Sequence, residues 1–94
     1  MASTYILYSP INDSFYVGSC HYIQERLKEH ISKEFKGSYT SKVDDWELYF
    51  LIENLDYSLA RKIELHIKRM KSKQYILNLK IYPEMTQKLL NEYL

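Results

Sequence analysis

The hydrophobic period of this chain switches between two and about four along its length, and that switching limits the layers it can build. Residues 5–8 and 15–17 are β-prone and aromatic, with a turn-rich stretch at 9–14 between them, so they read as a hairpin. Gly18 is expected to end the second strand. Residues 22–35 change to helical spacing, with Ile23, Leu27 and Ile31 at i, i+4 and i+8. Arg26 and His30 sit four apart on a neighbouring stripe and would point together at whatever lies beside that face. Residues 36–45 are polar, hold Gly37 and read as a loop. Alternation returns over 46–53, with Trp46, Leu48, Phe50 and Ile52 facing one way. Asp56 or Ser58 can cap the next helix, which runs to about residue 72 with Ala60, Ile63, Ile67 and Met70 on its buried side. Residues 75–82 are apolar and β-prone and are read as extended. Pro83 suits the first turn of a last helix, with Met85, Leu89 and Tyr93 on one side. The order β-β-α-β-α-(extended)-α predicts an α+β fold, a small three-stranded antiparallel sheet flanked by helices.

Composition narrows the class. At 94 residues the chain is expected to be one domain, with a core over about 4–79 and a helical extension over about 83–94. Hydrophobic residues at 46% and charged residues at 27% argue against disorder. No run of eighteen apolar residues is present, which excludes a spanning helix and predicts no membrane partner. No basic stretch followed by an apolar one opens the chain, so the expected setting is soluble and cytoplasmic. A single cysteine, Cys20, excludes an internal disulfide and a cysteine-rich zinc site, and reads as a small packed residue. His21, His30 and His66 lack zinc-site spacing.

The net charge of +1 hides a polarised sequence. From Arg61 to Lys80 there are seven Lys or Arg against one acid, Glu64, and from Asp44 to Asp56 five acids and no base. A basic segment of this kind, Lys68 and Lys71 included, could neutralise phosphates, although charge runs are more often solvated helix faces.

Tyr5 lies on the first strand, Tyr16-Val17-Gly18-Ser19 on the second, Glu25-Arg26-Leu27-Lys28-Glu29-His30 on the first helix and Arg61-Lys62-Ile63-Glu64 on the second. This order resembles the GIY-YIG nuclease superfamily in its small stand-alone form, over roughly residues 4–79. The first motif reads Ser3-Thr4-Tyr5, with its Gly and Ile replaced, and Cys20 and Tyr22 stand where relatives often carry a Thr and an acid. The resemblance implies a metal-dependent endonuclease cutting phosphodiester bonds in DNA, acting in repair or recombination. It implies Tyr5, Tyr16, Arg26, His30 and Glu64 as catalytic residues. Gly18, Ser19, Lys68, Lys71 and Asn78 would contact substrate, Asn78 by its match to an Asn that many members keep after the Glu helix. Tyr39 and Thr40 lie in a loop where some relatives carry a further site residue.

The chemistry suits those residue types. Glu64 can hold one Mg²⁺ or Mn²⁺ through a hard oxygen ligand, and the ion would polarise the phosphate. Arg26 offers a permanently charged fork matched to phosphate oxygens. Either Tyr5 or Tyr16 is the general base; Tyr5 is favoured, with Tyr16 orienting water or phosphate. A phenol can take a proton from water only if its pKa, about 10 when unperturbed, is lowered by a nearby cation. His30 is expected to contact the phosphate or the tyrosine. Gly18 would let the backbone pass close to the site. The alternative is a catalytically silent nucleic-acid-binding module of the same fold, as monomer or homodimer. A third option is a protein-interaction role for the last helix. Taken singly, Tyr5 and Tyr16 could be packing aromatics and Glu64–Lys68 an ordinary helix pair.

Overall fold

The computed structural model describes residues 1–31 and 46–94, excluding the side chain of Ile31. The expected loop at 36–45, with Tyr39 and Thr40, lies outside the described residues, as does the end of the helix expected over 22–35.

The hairpin forms, and both strands run longer than the sequence suggests. Strand β1 spans Ala2–Ser9 and β2 spans Ser14–Cys20, paired antiparallel. Gly18 does not end β2; it pairs with Tyr5 inside the ladder, and β2 continues to Cys20. Strand β3, Glu47–Leu55, adds antiparallel to the other side of β1, giving the order β2-β1-β3. The α+β class and a three-stranded antiparallel sheet are thus as expected. β1 is central and buried along nearly its whole length, so its burial does not alternate and Ser3, Thr4 and Ser9 are buried with its apolar residues.

Helices cover both faces. Helix α1, Ile23–Ile31, lies on one face. There Ile23 and Leu27 pack against Tyr5, Leu7, Cys20 and Trp46. Helix α2, Tyr57–Met70, lies on the other, burying Ala60, Ile63 and Ile67 against Ile6, Val17 and Ile52. Asp56 is the cap: its side chain accepts from the Leu59 N–H at 2.8 Å. Met70, expected to be buried, is exposed, because the helix stops there as Lys71 turns left-handed (φ 48°).

Two further expectations are corrected. Residues 75–82 are not extended: Lys73–Ile81 form helix α3, with Ser72 capping the Tyr75 N–H at 3.1 Å and Ile76 and Leu79 buried three apart. The β-prone residues Tyr75, Ile76 and Ile81 are overridden by that cap and by burial of one stripe. The single apolar face of β3 is also wrong. Register shifts against β1 between Ala2 and Thr4 and between Ile6 and Leu7 each insert a residue into β3. Trp46 and Ile52 therefore fall in opposite clusters, and Leu48 is exposed. Asn54, left-handed at φ 62°, sits in the first of these bulges. Helix α4, Pro83–Tyr93, starts on its proline and buries Leu89, with Met85 and Tyr93 packed beside it.

Candidate active site

The site straddles β2, the edge strand of the sheet. Alternation sends Tyr16, Gly18 and Cys20 towards α1 and Val17 and Ser19 towards α2. Residues on opposite faces thus meet around one strip of backbone.

On the α1 side Tyr5 reaches outward from the central strand across its partner Gly18. A Cβ built on Gly18 would lie 2.5 Å from the Tyr5 hydroxyl oxygen and 2.6 Å from Cζ. No side chain fits there, so the glycine makes room for the ring. Tyr5 is 1% exposed, and its hydroxyl lies 2.9 Å from His30 Nε2. His30 is 2% exposed; burial, with a lesser push from Arg26, takes its pKa down to about 4. The imidazole is neutral, and in the tautomer protonated at Nδ1 the Tyr5 O–H donates to Nε2. Tyr16 closes the group, its ring 5.0 Å from that of His30 and 6.3 Å from that of Tyr5. Of the two contacts expected for His30, phosphate or tyrosine, the folded chain makes the second.

Arg26 stands at the rim of this group. Its side chain is 35% exposed, lies 3.8 Å from Glu29, and lines a pocket of about 220 Å³ with Cys20, His21 and Tyr22. Burial and the neighbouring Tyr16 raise the Tyr5 pKa, and the opposing charge of Arg26 does not offset them. The expected lowering of the phenol's pKa is therefore absent from the chain by itself: burial outweighs one cation.

On the α2 side Glu64 is 3% exposed, a charged residue buried beside the apolar stripe expected from Ala60, Ile63 and Ile67. Ser19 Oγ donates to its Oε1 at 2.5 Å, Arg61 Nη1 to the same oxygen at 2.9 Å, and Lys68 Nζ to Oε2 at 2.5 Å. Burial alone would raise its pKa; the bonds from Lys68 and Ser19 and the charges of Lys68 and Arg61 overcome this and hold it below the usual range. Ser19 adjoins Gly18, over which the Tyr5 hydroxyl lies, so phenol and carboxylate converge on the same stretch of β2. Burial dominates the Tyr5 pKa, with lesser effects from the charge of Arg26, which lowers it, and that of Glu64, which raises it.

Tyr5, Tyr16, Gly18, Ser19, Arg26, His30, Glu64 and Lys68 are therefore gathered along β2. Lys71 and Asn78 are not: Lys71 caps the far end of α2, and the Asn78 side chain accepts from Gln74 within α3. The basic run is dispersed as well. Arg61 and Lys68 turn to Glu64, Lys73 reaches Asp13 at the hairpin tip, and Lys80 lies over the Tyr49 ring. Sequence reasoning missed Arg61 as a partner of Glu64, though their i, i+3 spacing on one helix was the available signal. Among the described residues no group of three or more His, Cys, Asp or Glu gathers as a metal cage, so any ion here rests on Glu64 and non-protein ligands.

No curated protein and no solved structure matches the chain. A family model, the GIY-YIG catalytic domain, matches residues 1–76, which take in both faces of the site and the first turn of α3. With four-fifths of its length under that model, the chain belongs to the GIY-YIG family, whose members are endonucleases acting on nucleic acid.

Proposed function

We propose that the protein is a metal-dependent endonuclease that hydrolyses phosphodiester bonds in DNA at the edge of β2. The observation that carries this reading is the meeting of the Tyr5–His30 pair with the ionised Glu64 across Gly18-Ser19. With His30 protonated at Nδ1, the Tyr5 proton points at Nε2 and the phenol oxygen keeps its lone pairs for a water that substrate binding would have to admit, since Tyr5 is 1% exposed. The water gives a proton to Tyr5 Oη as Tyr5 gives its own to His30 Nε2, so no free phenolate forms. The relay bypasses the raised pKa of the phenol, at the cost of charging an imidazole whose own pKa is about 4. The hydroxide attacks phosphorus as the P–O bond to the leaving oxygen breaks, that oxygen takes a proton from solvent, and Arg26 at the rim holds the phosphate oxygens through its guanidinium. Tyr16 packs against His30 and Tyr5 and fixes both rings.

The donor chemistry around Glu64 fits a hard cation: both carboxylate atoms and the Ser19 hydroxyl are oxygen, and the carboxyl stays ionised. Mg²⁺ or Mn²⁺ held there would polarise the phosphate and stabilise the leaving oxygen. Lys68 would have to release Oε2; its side chain is 46% exposed and can swing into solvent.

A second reading has its own observation. Both oxygens of Glu64 are already bonded to Ser19, Arg61 and Lys68, as in a structural carboxylate, which suits a nucleic-acid-binding module without turnover. Cleavage of a panel of DNA forms with Mg²⁺ or Mn²⁺ separates the two. The enzyme should nick or cut in a manner abolished by Glu64→Gln and by Arg26→Ala. Salt-sensitive binding with no metal-dependent cleavage would favour the silent module.

A further inference from the structure

The end of β2 carries aromatic surface that the hydrolytic chemistry does not use. His21 stacks on Tyr57, with ring centroids 4.2 Å apart and planes 11° from parallel. Both residues are exposed, and so is Tyr22, whose ring lies 6.4 Å from His21. Single exposed aromatics are common, whereas a stacked pair with a third ring beside His21 forms a patch that calls for an occupant.

The patch adjoins the site from both sides. His21 follows Ser19 by two residues, and Ser19 holds Glu64. His21 and Tyr22 line the same pocket of about 220 Å³ as Arg26. Tyr57, Arg61, Glu64 and Lys68 fall at i, i+4, i+7 and i+11 on α2, one stripe of the helix. From Tyr57 to Glu64 is about 10 Å along the axis, equivalent to about three nucleotide rises of a stacked strand.

Charge divides the surface. Arg61 and Lys68 flank Glu64 and suit phosphates. Glu25 and Glu29 outnumber Arg26 in the pocket beside His21 and Tyr22, so a phosphate is repelled there except at the Arg26 guanidinium. A nucleobase meets no such penalty: it is uncharged, has a π-face for a ring to cover, and carries amino groups that carboxylates accept.

We propose that the His21–Tyr57 stack, with Tyr22, is a platform for an unpaired nucleobase of the strand whose phosphate lies at Glu64, so that the substrate is single-stranded or locally unstacked beside the cleaved bond. This rests on the nuclease reading above and names its substrate class. In a continuous duplex both faces of a base are covered by its neighbours, so the platform can engage only a base that has left the stack.

The test is equilibrium binding of the wild-type chain in EDTA to three labelled DNAs: a single strand, the same strand with abasic sites at its central positions, and the matching duplex. The single strand should bind about 5- to 100-fold more tightly than the abasic one, the range of one base–aromatic stack. It should also bind more tightly than the duplex. His21→Ala combined with Tyr57→Ala should remove most of the preference for bases, and Tyr57→Phe should keep it. A 2-aminopurine placed within three positions of the cleaved bond should be quenched by the wild type and not by the double variant. Equal affinity for normal and abasic strands would overturn the proposal, and so would equal affinity for duplex. Double-variant melting at a lower temperature with the base preference intact would make the stack a clasp between β2 and α2, also overturning it. Duplex cleavage indifferent to these substitutions would sink the platform alone, whereas failure to bind any nucleic acid would sink the nuclease reading with it.

Discussion

Gly18 decides whether the Tyr5 ring can cross the edge strand, since a methyl group there would meet the hydroxyl at 2.5 Å. Gly18→Ala must push the ring away from His30 or part β1 from β2. The expected cost is about 1–3 kcal/mol of stability, as for other overpacked sites, together with loss of cleavage. Urea unfolding alongside a cleavage assay checks both, and wild-type values in each would contradict the close approach. His30 makes a second residue-scale prediction. Burial takes its pKa from 6.5 to about 4 in the folded chain, so between those values the unfolded chain binds more protons. Its contribution is therefore complete above about pH 6.5 and is lost as pH falls towards 4, by about 3 kcal/mol for a shift of this size. Glu64, held below the usual carboxylate range, adds a further loss at lower pH. His30→Gln should flatten the slope of unfolding free energy between pH 6.5 and 4.5, and an already flat wild-type slope would contradict a buried neutral imidazole. At this scale the sequence named Tyr5, Arg26, His30 and Glu64 through motif spacing. The raised pKa of Tyr5 was not readable there, because burial is set by the whole sheet and not by neighbours in sequence.

Helix α2 sets where Glu64 stands, and a buried polar contact fixes α2 on the sheet. Thr4 Oγ1 on β1 donates to the Ala60 carbonyl at 2.8 Å. Thr4→Val keeps the shape and removes this second bond to a carbonyl that stays in the helix ladder, so stability should fall by about 0.5–1.5 kcal/mol. Glu64 would lose its fixed register opposite Ser19, with cleavage reduced more than nucleic-acid affinity; an unchanged melting temperature would show that the bond does not anchor the helix. The legible elements were those with a strong period or a cap. α2 had both, in Ala60, Ile63 and Ile67 and in Asp56. α3 was misread because Tyr75 and Ile76 favour strands locally, and only contact with the packed core gave the Ile76–Leu79 stripe its weight. The bulges of β3 could not be read, because an inserted residue leaves no mark in an alternating string until the partner strand is known.

Among the described residues the design is a sheet covered on both faces, with the reacting groups brought from each face to one edge strand, β2. Tyr5, Tyr16, Arg26 and His30 come from the α1 side, and Ser19, Glu64 and Lys68 from the α2 side. Helix α4 lies beyond the region shared with the family and braces α2 from behind, through buried Leu89 and a 2.8 Å contact between Tyr93 Oη and His66 Nδ1. Truncation after Tyr82 should therefore lower stability by about 2 kcal/mol or more, since a buried leucine is lost, while the remaining folded fraction keeps the site. Cleavage per folded molecule that vanishes with α4 would place part of the site on that helix instead. The central claim is that Tyr5 passes a proton within a site that Glu64 completes from the opposite face. The most direct measurement is the single-turnover cleavage rate of Tyr5→Phe with Mg²⁺, beside its affinity for the same DNA. The rate should drop by about 10²-fold or more, the usual worth of a general base, with affinity unchanged. A Tyr5→Phe rate within a few-fold of wild type would contradict it.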